Sequence, residues 1–218
     1  AAVIEPGKLI GESIVSTQNS LITKNLFQAS LSLKKSPSWI FLSSVSVYGN
    51  IDHEEYIEIN DTPTPISDYG KGKLHDEKYL IKNCNELHIL RLAPVFDDEH
   101  LSNIKKRVYL PGTNFKLKIS PSPRYTLCSI KTIISKIINI TNCSEGKYLY
   151  HVGDQSPYKK NEIAKNFPGM NLNIKREFFE YVINMIPNKY KIFKNLKWLI
   201  QKLAFSNVYI IGRKKIES

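Results

Sequence analysis

Cysteine is scarce in this sequence and odd in number. Cys84, Cys128 and Cys143 are the only three in 218 residues, and their spacing matches neither a disulfide framework nor a zinc site. They read as free thiols in a reducing compartment. The five histidines are scattered without an H-x-x-x-H pair, so no metal site is expected. Long apolar runs are missing too: none reaches the roughly 18 residues of a membrane span. The opening "AAVIEPGKLIGES" has no basic segment and no apolar stretch behind it, so no secretory signal is expected. There is no internal repeat and no low-complexity tract.

Acidic residues are outnumbered, 20 against 31 lysines and arginines, for a net charge of +11. Such a balance suits a nucleic-acid or membrane-surface partner. Here, however, the lysines are dispersed, and the chain carries no helix-turn-helix pattern or aromatic-basic stripe. No nucleic-acid partner is expected. The densest basic stretch, "IPNKYKIFKNLKWLIQKLAF", reads first as a solvated helix face and second as a peripheral membrane contact. With 42% hydrophobic residues, the chain suits one globular domain, or one with a small subdomain, and can bury a sizeable core.

Periodicity sets the element order. "SIVSTQNSLITKNLFQASLSLKK" carries Leu21, Ile22, Leu26, Phe27 and Leu31 at helical spacing and predicts one long helix. "SWIFLSS" predicts a buried parallel strand. Pro63 and Pro65 keep the polar loop before Ser67 extended. Ser67 or Asp68 then caps a helix running to about Asn83. "LHILRLAPVF" predicts a second buried strand. Helix, strand, helix, strand is α/β order and implies a parallel sheet with crossover helices. After Phe96 the texture turns loop-rich with short strands. "TLCSIKTIISKIINI" predicts a helix and "GKYLYHVGD" a strand. "SPYKKNEIAKNF" predicts a helix capped by Ser156 with Pro157 in first position. Paired amphipathic helices are expected from "IKREFFEYVINMIP" onward.

The chemistry concentrates where the first strand ends. "FLSSVSVYGN" stops on hydroxyls, and "SDYGKGKLHDEKYL" follows about one loop later. Tyr69 and Lys73 are one helical turn apart and share a face. An ammonium beside a phenol favours phenolate, whose free pKa is about 10. A tyrosine lowered toward neutrality serves as general acid or base. Ser44 stands at the strand's carboxyl end, the edge where open α/β sheets place their sites. Its hydroxyl can hold a substrate oxygen beside that phenol. Taken singly, a Tyr-x-x-x-Lys pair recurs by chance in helices, and serines at a strand end are often turn chemistry. Gly70 and Gly72 shift the balance: each costs about 1 kcal/mol inside a helix, which points to close approach of a backbone or a ligand.

"FLSSVSVYG", "EINDTPTPISDYGKGKLHDEKYL" and "LHILRLAPVF", in this order and spacing, resemble the extended short-chain dehydrogenase/reductase family of NAD-dependent nucleotide-sugar epimerases and dehydratases, including the UDP-sugar 4-epimerases. "NSLITKNL" and "PRYTLCSIKTII" are similar to two further family segments. The resemblance implies a Rossmann-like doubly wound α/β sheet, NAD or NADP as cofactor, and a nucleotide-diphosphate sugar as substrate. It implies Tyr69 as catalytic acid/base, Lys73 on the nicotinamide ribose and lowering the tyrosine pKa, and Ser44 as the catalytic hydroxyl. It places Asn19 and Ala93 at the cofactor, and Ser46 and Arg124 at the substrate; the bland alternative for Arg124 is a surface arginine. Residues 1–96 would form the C-terminal part of the NAD-binding domain. Residues 97–218 would form a substrate-binding region with interleaved Rossmann elements and C-terminal helices. A homodimer through helices 12–33 and 67–83 is implied, as is surface-polysaccharide synthesis in the cytoplasm.

The departures are as informative. The family's glycine-rich pyrophosphate loop, G-x-x-G-x-x-G, occurs nowhere among these residues, and Ala1-Ala2 resemble the close of its fourth strand. The expectation is a chain lacking about 70 residues of the first mononucleotide-binding half, with poor NAD binding and impaired activity by itself. A remnant or a non-catalytic binding module of the same fold is the alternative. Dehydratases of the family carry Thr-Asp-Glu where this sequence has Ser44, Val45 and Ser46. Without those carboxyl groups elimination is disfavoured, and epimerase or keto-sugar reductase chemistry remains. Asp97-Asp98 replace the usual Gly-Pro, so the sugar is left open.

Overall fold

The computed structural model describes residues 12–49, 56–141, 145–187 and 191–216; Ala1-Ala2 and Cys143, on which sequence expectations fall, lie outside them. Helix α1 (Glu12–Ser30) leads into strand β1 (Trp39–Ser44), which ends in a 3₁₀ turn at Val45–Tyr48. Helix α2 (Asp68–Asn83) crosses over to β2 (Leu87–Leu92) and the short β3 (Val95–Phe96). Next come α3 (Ser102–Val108), β4 (Lys116–Ser120), β5 (Arg124–Tyr125), β6 (Cys128–Ser129), α4 (Ile130–Thr141) and β7 (Lys147–Val152). The chain continues through β8 (Tyr158–Lys159), α5 (Lys160–Ile163), β9 (Asn171–Lys175), α6 (Arg176–Met185), α7 (Lys191–Ala204) and β10 (Gly212–Lys215).

The main sheet runs β1-β2-β7-β10. Its first three strands are parallel, and β10 pairs antiparallel with β7. Three two-stranded pairs, β3 with β6, β4 with β9 and β5 with β8, lie outside it. The central strand β2 shows why the pattern "LHILRL" reads as a near-continuous apolar run: both of its faces are covered. Leu87 and Ile89 pack with Phe27, Leu80 and Cys84 on the α1/α2 side. Leu90 packs with Ile140, Tyr150 and Val152 on the α4 side. Each such fully buried leucine or isoleucine contributes roughly 1.5–3 kcal/mol. Helices on both faces of a parallel sheet give the α/β architecture that the element order implied. The outer strand β10 carries Arg213, Lys214 and Lys215 exposed, charges that discourage further strand pairing at that edge.

Several elements differ from expectation, each for a local reason. α1 stops at Ser30, where Ser30 Oγ turns back to the Phe27 carbonyl at 2.7 Å. Among the described side chains of its large apolar residues Phe27 is buried, while Leu21 and Leu26, and Leu31 just beyond the helix, are exposed. Ser156 and Pro157 do not open a helix. Tyr158 and Lys159 pair with β5, and the helix begins only at Lys160 without a side-chain cap. α3 lies inside the stretch that reads as loop, because its cap residue Leu101 offers no side-chain acceptor. The strands β9 and β10 are made by pairing with distant segments. By contrast α2 is capped by Ser67, whose Oγ accepts from the Gly70 N–H at 3.1 Å. Among the described residues no helix is long and apolar enough to cross a membrane.

The end of α7 is anchored by a fully buried lysine. Lys160 Nζ and the Tyr125 hydroxyl both donate to the Leu203 carbonyl, each at 2.9 Å. A cation suits a helix C-terminus, but burial and the nearby Arg107 push the Lys160 pKa down from 10.5 to about 7. Between those values the unfolded chain holds the extra proton, so the contribution of Lys160 to stability rises with pH from about 7 to 10.5. Relative to Lys160→Met, the wild type is expected to gain up to about 1.4 kcal/mol per pH unit from pH 7 to 9. Urea denaturation of both proteins across that range tests this. A pH-independent difference between them would exclude a neutral lysine at this position.

Candidate active site

Strand β1 delivers Ser44 to the carboxyl edge of the sheet. There Ser44 becomes the N-cap of the 3₁₀ turn: its Oγ accepts from the Ser46 N–H at 3.1 Å and lies 3.1 Å from Ser46 Oγ. Gly49 closes the turn at φ +72°, a left-handed conformation suited to glycine. A side chain there would also meet the Thr64 carbonyl, while Thr64 Oγ1 donates to the Tyr48 carbonyl at 2.8 Å. The first turn of α2 lies directly against this loop. A Cβ at Gly70 would stand 2.4 Å from the Ser46 carbonyl oxygen and 3.0 Å from its carbon. The glycine is therefore the backbone contact that lets α2 bring Tyr69 up to Ser44.

The structure brings Ser44, Tyr69 and Lys73 together. Tyr69 is 46% exposed. Partial burial raises its pKa above the ordinary 10, and the Ser44 side chain offsets part of that rise. The expected lowering by Lys73 is not what this arrangement produces. Lys73 Nζ donates to the Leu42 carbonyl at 2.9 Å and lies 4.9 Å from the Phe41 ring centroid, against 5.9 Å from that of Tyr69. Partial burial pulls the Lys73 pKa down, while Asp76 and Glu77 pull it up. A raised pKa keeps Tyr69 a neutral phenol at neutral pH, able to donate a proton.

The remaining candidates sit at different distances from this trio. Ser46 lies beside Ser44 and lines a cleft of about 600 Å³, measured with its open mouth. Ala93 is buried just beyond β2, its N–H donating to the Val152 carbonyl at 2.9 Å. Asn19 is on α1; its carbonyl lies 3.1 Å from Thr23 Oγ1, which is 3.2 Å from Asp76 Oδ2 on α2. Arg124 is exposed on β5, its guanidinium 5.6 Å from the Tyr56 ring centroid, and is not among the residues lining the cleft. Cys84 and Cys128 are buried free thiols whose pKa values burial pushes up to about 11 and about 12, which leaves them unreactive.

Beneath the site runs a buried polar network that sequence reasoning missed. Arg91 grips Glu77 through two bonds, Nε–Oε1 at 3.1 Å and Nη2–Oε2 at 2.7 Å. Ser43 Oγ donates to Glu77 Oε1 at 2.5 Å. Arg91 Nη1 donates to the Tyr48 hydroxyl at 2.6 Å, and that hydroxyl is 2.5 Å from His151 Nε2. Burial holds His151 neutral, with a pKa of about 4. Its Nδ1, 3.0 Å from the Ile210 carbonyl, carries the proton, so Nε2 accepts from Tyr48. Burial disfavours the Arg91 charge, but Glu77 outweighs it and the pKa is raised. The network joins β1, α2, β2 and β7 just behind Ser44. The available signal was an arginine inside an apolar strand.

Comparison with known proteins gives these positions a context. A family model described as the RmlD substrate binding domain matches residues 17–167. Among solved structures, the ADP-L-glycero-D-manno-heptose-6-epimerase of Helicobacter pylori superposes with a TM-score of 0.61 at 18% identity, over 80% of this chain and 59% of that one. RMD from Pseudomonas aeruginosa, complexed with NADPH, gives 0.62 at 14% identity, over 93% and 78%. The dTDP-4-dehydrorhamnose reductase of Yersinia enterocolitica gives 0.56 at 21% identity, over 82% and 65%. At these identities the likeness establishes the Rossmann-like fold. The chain spans less than two thirds of the length of the heptose epimerase and of the dehydrorhamnose reductase. No curated protein sequence matches it.

Proposed function

Since this chain belongs to the RmlD substrate binding domain family, we propose that it carries the proton-transfer site of an NAD(P)-dependent nucleotide-sugar epimerase or keto-sugar reductase. The observation that supports this most is the placing of Ser44 at the carboxyl end of β1 with the first turn of α2, which carries Tyr69 and Lys73, packed against the turn that follows it. Ser44 holds the oxygen of the reacting sugar carbon. The neutral Tyr69 hydroxyl donates its proton to that oxygen when a keto sugar is reduced, and the phenolate so formed is the species that takes a proton back when an alcohol is oxidised. Ser46 orients the sugar from the adjoining turn.

The residues at this edge fit the nicotinamide end of NAD or NADP. The Lys73 ammonium suits ribose hydroxyls, and Ala93 offers a small surface beside β2. Asn19, on the helix packed against α2, is the third cofactor position. When bound, the cofactor supplies the group that gives or takes a hydride. The glycine-rich pyrophosphate cradle is not among these residues, so the fit extends to the nicotinamide half alone. The exposed leucines of α1 support a homodimer through α1 and α2. The cytoplasm, as part of polysaccharide synthesis, is the compartment this chemistry suits. Residues 97–218 supply the substrate side.

Product analysis with labelled nucleotide sugars and NAD(P)(H) tests the reading. Net consumption of NADPH identifies the reductase, and an inverted sugar without net consumption identifies the epimerase. Neither product with any nucleotide sugar would return the chain to the non-catalytic alternative.

A further inference from the structure

Helices α6 and α7 share one anchor and leave other apolar side chains outside. Phe179 of α6 and Leu203 and Ala204 of α7 are buried in a single cluster with Leu117 and Ile119 of β4, and the two helices pack against each other. Phe178, Tyr181 and Met185 fall at i, i+3 and i+7 of α6, so they share a face. All three are exposed, Tyr181 and Met185 at 63% and 65%. On α7, Leu196 and Leu199 are exposed about one turn apart. Large apolar side chains grouped in this way mark an interaction surface, whereas single exposed ones do not.

The charge in this part of the chain has one sign. Residues 181–212 contain five lysines, no arginine and no acidic residue, and four of the lysines belong to α7. Of the two acids on α6, Glu180 is paired with Arg176 at 3.3 Å, which leaves Glu177. Such a surface calls for an anionic partner. The residue types favour lipid over protein. Protein interfaces are enriched in arginine and depleted in lysine, whereas the hydrated point charge of lysine suits a field of anionic headgroups. Helices with lysines on one side and aromatic residues and leucines on the other lie in the plane of a membrane interface. Among the described residues no helix is long and apolar enough to cross a membrane, so the contact is peripheral. We infer that α6 and α7 form a docking face for an anionic lipid surface. Phe178, Tyr181 and Met185 enter the headgroup boundary beside Leu196 and Leu199, and the lysines of α7 supply the attraction.

The test is sedimentation of the chain with vesicles of phosphatidylcholine alone and of an equal mixture of phosphatidylcholine and phosphatidylglycerol. The expected result is binding to the mixed vesicles that weakens as salt rises, with much weaker binding to phosphatidylcholine alone. Lys191→Gln with Lys194→Gln should weaken it about fivefold for each lysine. Tyr181→Ser with Met185→Ser should weaken it about tenfold or more, through lost apolar burial. Lys34→Gln with Lys35→Gln, exposed in the loop between α1 and β1, removes the same charge elsewhere and should bind as wild type. Circular dichroism melts show whether each variant is folded. If the Tyr181 and Met185 variant is not, the lipid dependence of the wild type and the contrast between the two lysine pairs carry the test. The inference is overturned if wild type ignores the mixed vesicles, if both lysine pairs lose binding equally, or if the folded Tyr181 and Met185 variant binds undiminished. Retention on immobilised polyglutamate without vesicle binding would assign the face to an acidic protein and overturn it as well. None of these outcomes bears on the nucleotide-sugar reading, because none measures turnover.

Discussion

Replacing Tyr69 with phenylalanine is expected to lower turnover about 10²- to 10⁴-fold, the usual range for removing a positioned proton donor. The fold should barely notice. Tyr69 is 46% exposed, and changes at such positions cost within about 0.5 kcal/mol. Turnover of nucleotide sugar and a thermal melt of the same preparation separate the two effects. The pH profile carries a second expectation. Partial burial raises the Tyr69 pKa, so the neutral donor persists through neutral pH, and reduction should hold its rate until well into the alkaline range. A Tyr69→Phe protein that turns over as fast as wild type would remove this residue from the chemistry.

The grouping of these residues was legible because they are close in sequence. Tyr69 and Lys73 are one helical turn apart, Ser67 is a cap by residue type, and Ser44 ends an apolar run. The glycine at 70 pointed to close approach, and the approaching group is the Ser46 carbonyl. What periodicity could not supply is anything decided across the chain. β10 exists because Gly212–Lys215 find β7, and β9 because Asn171–Lys175 find β4; neither segment has a strong strand pattern of its own. Ser156 and Pro157 have the composition of a helix start, but pairing of Tyr158 and Lys159 with β5 overrides it. The leucines of α1 have helical spacing, yet little of their surface meets the sheet. The electrostatics of Lys73 followed the same rule. Its neighbour in sequence is Tyr69, but its hydrogen bond goes to Leu42, 31 residues away.

Removing the Glu77 carboxylate is expected to be the most destabilising single change in the described structure. Glu77 is 1% exposed and Arg91 is 5% exposed, so Glu77→Ala leaves a guanidinium in the core with only the Tyr48 hydroxyl beside it. Breaking such a pair costs about 3–5 kcal/mol, a large share of a typical stability of about 5–15 kcal/mol. The expected result in urea is a midpoint shifted strongly downward. The damage should reach the site as well, because Ser43, which donates to Glu77, is the residue before Ser44, and Tyr48 closes the same turn. Replacing both partners, Glu77→Met with Arg91→Met, discards the charge along with its counter-charge. That pair of changes should recover much of the loss, since buried ion pairs exchanged for apolar groups are often neutral or stabilising. The double variant would still lack the bond that positions Ser43. It should therefore regain stability more fully than it regains turnover. If it is no more stable than Glu77→Ala, the cost comes from lost packing around α2 and β2 rather than from an uncompensated charge.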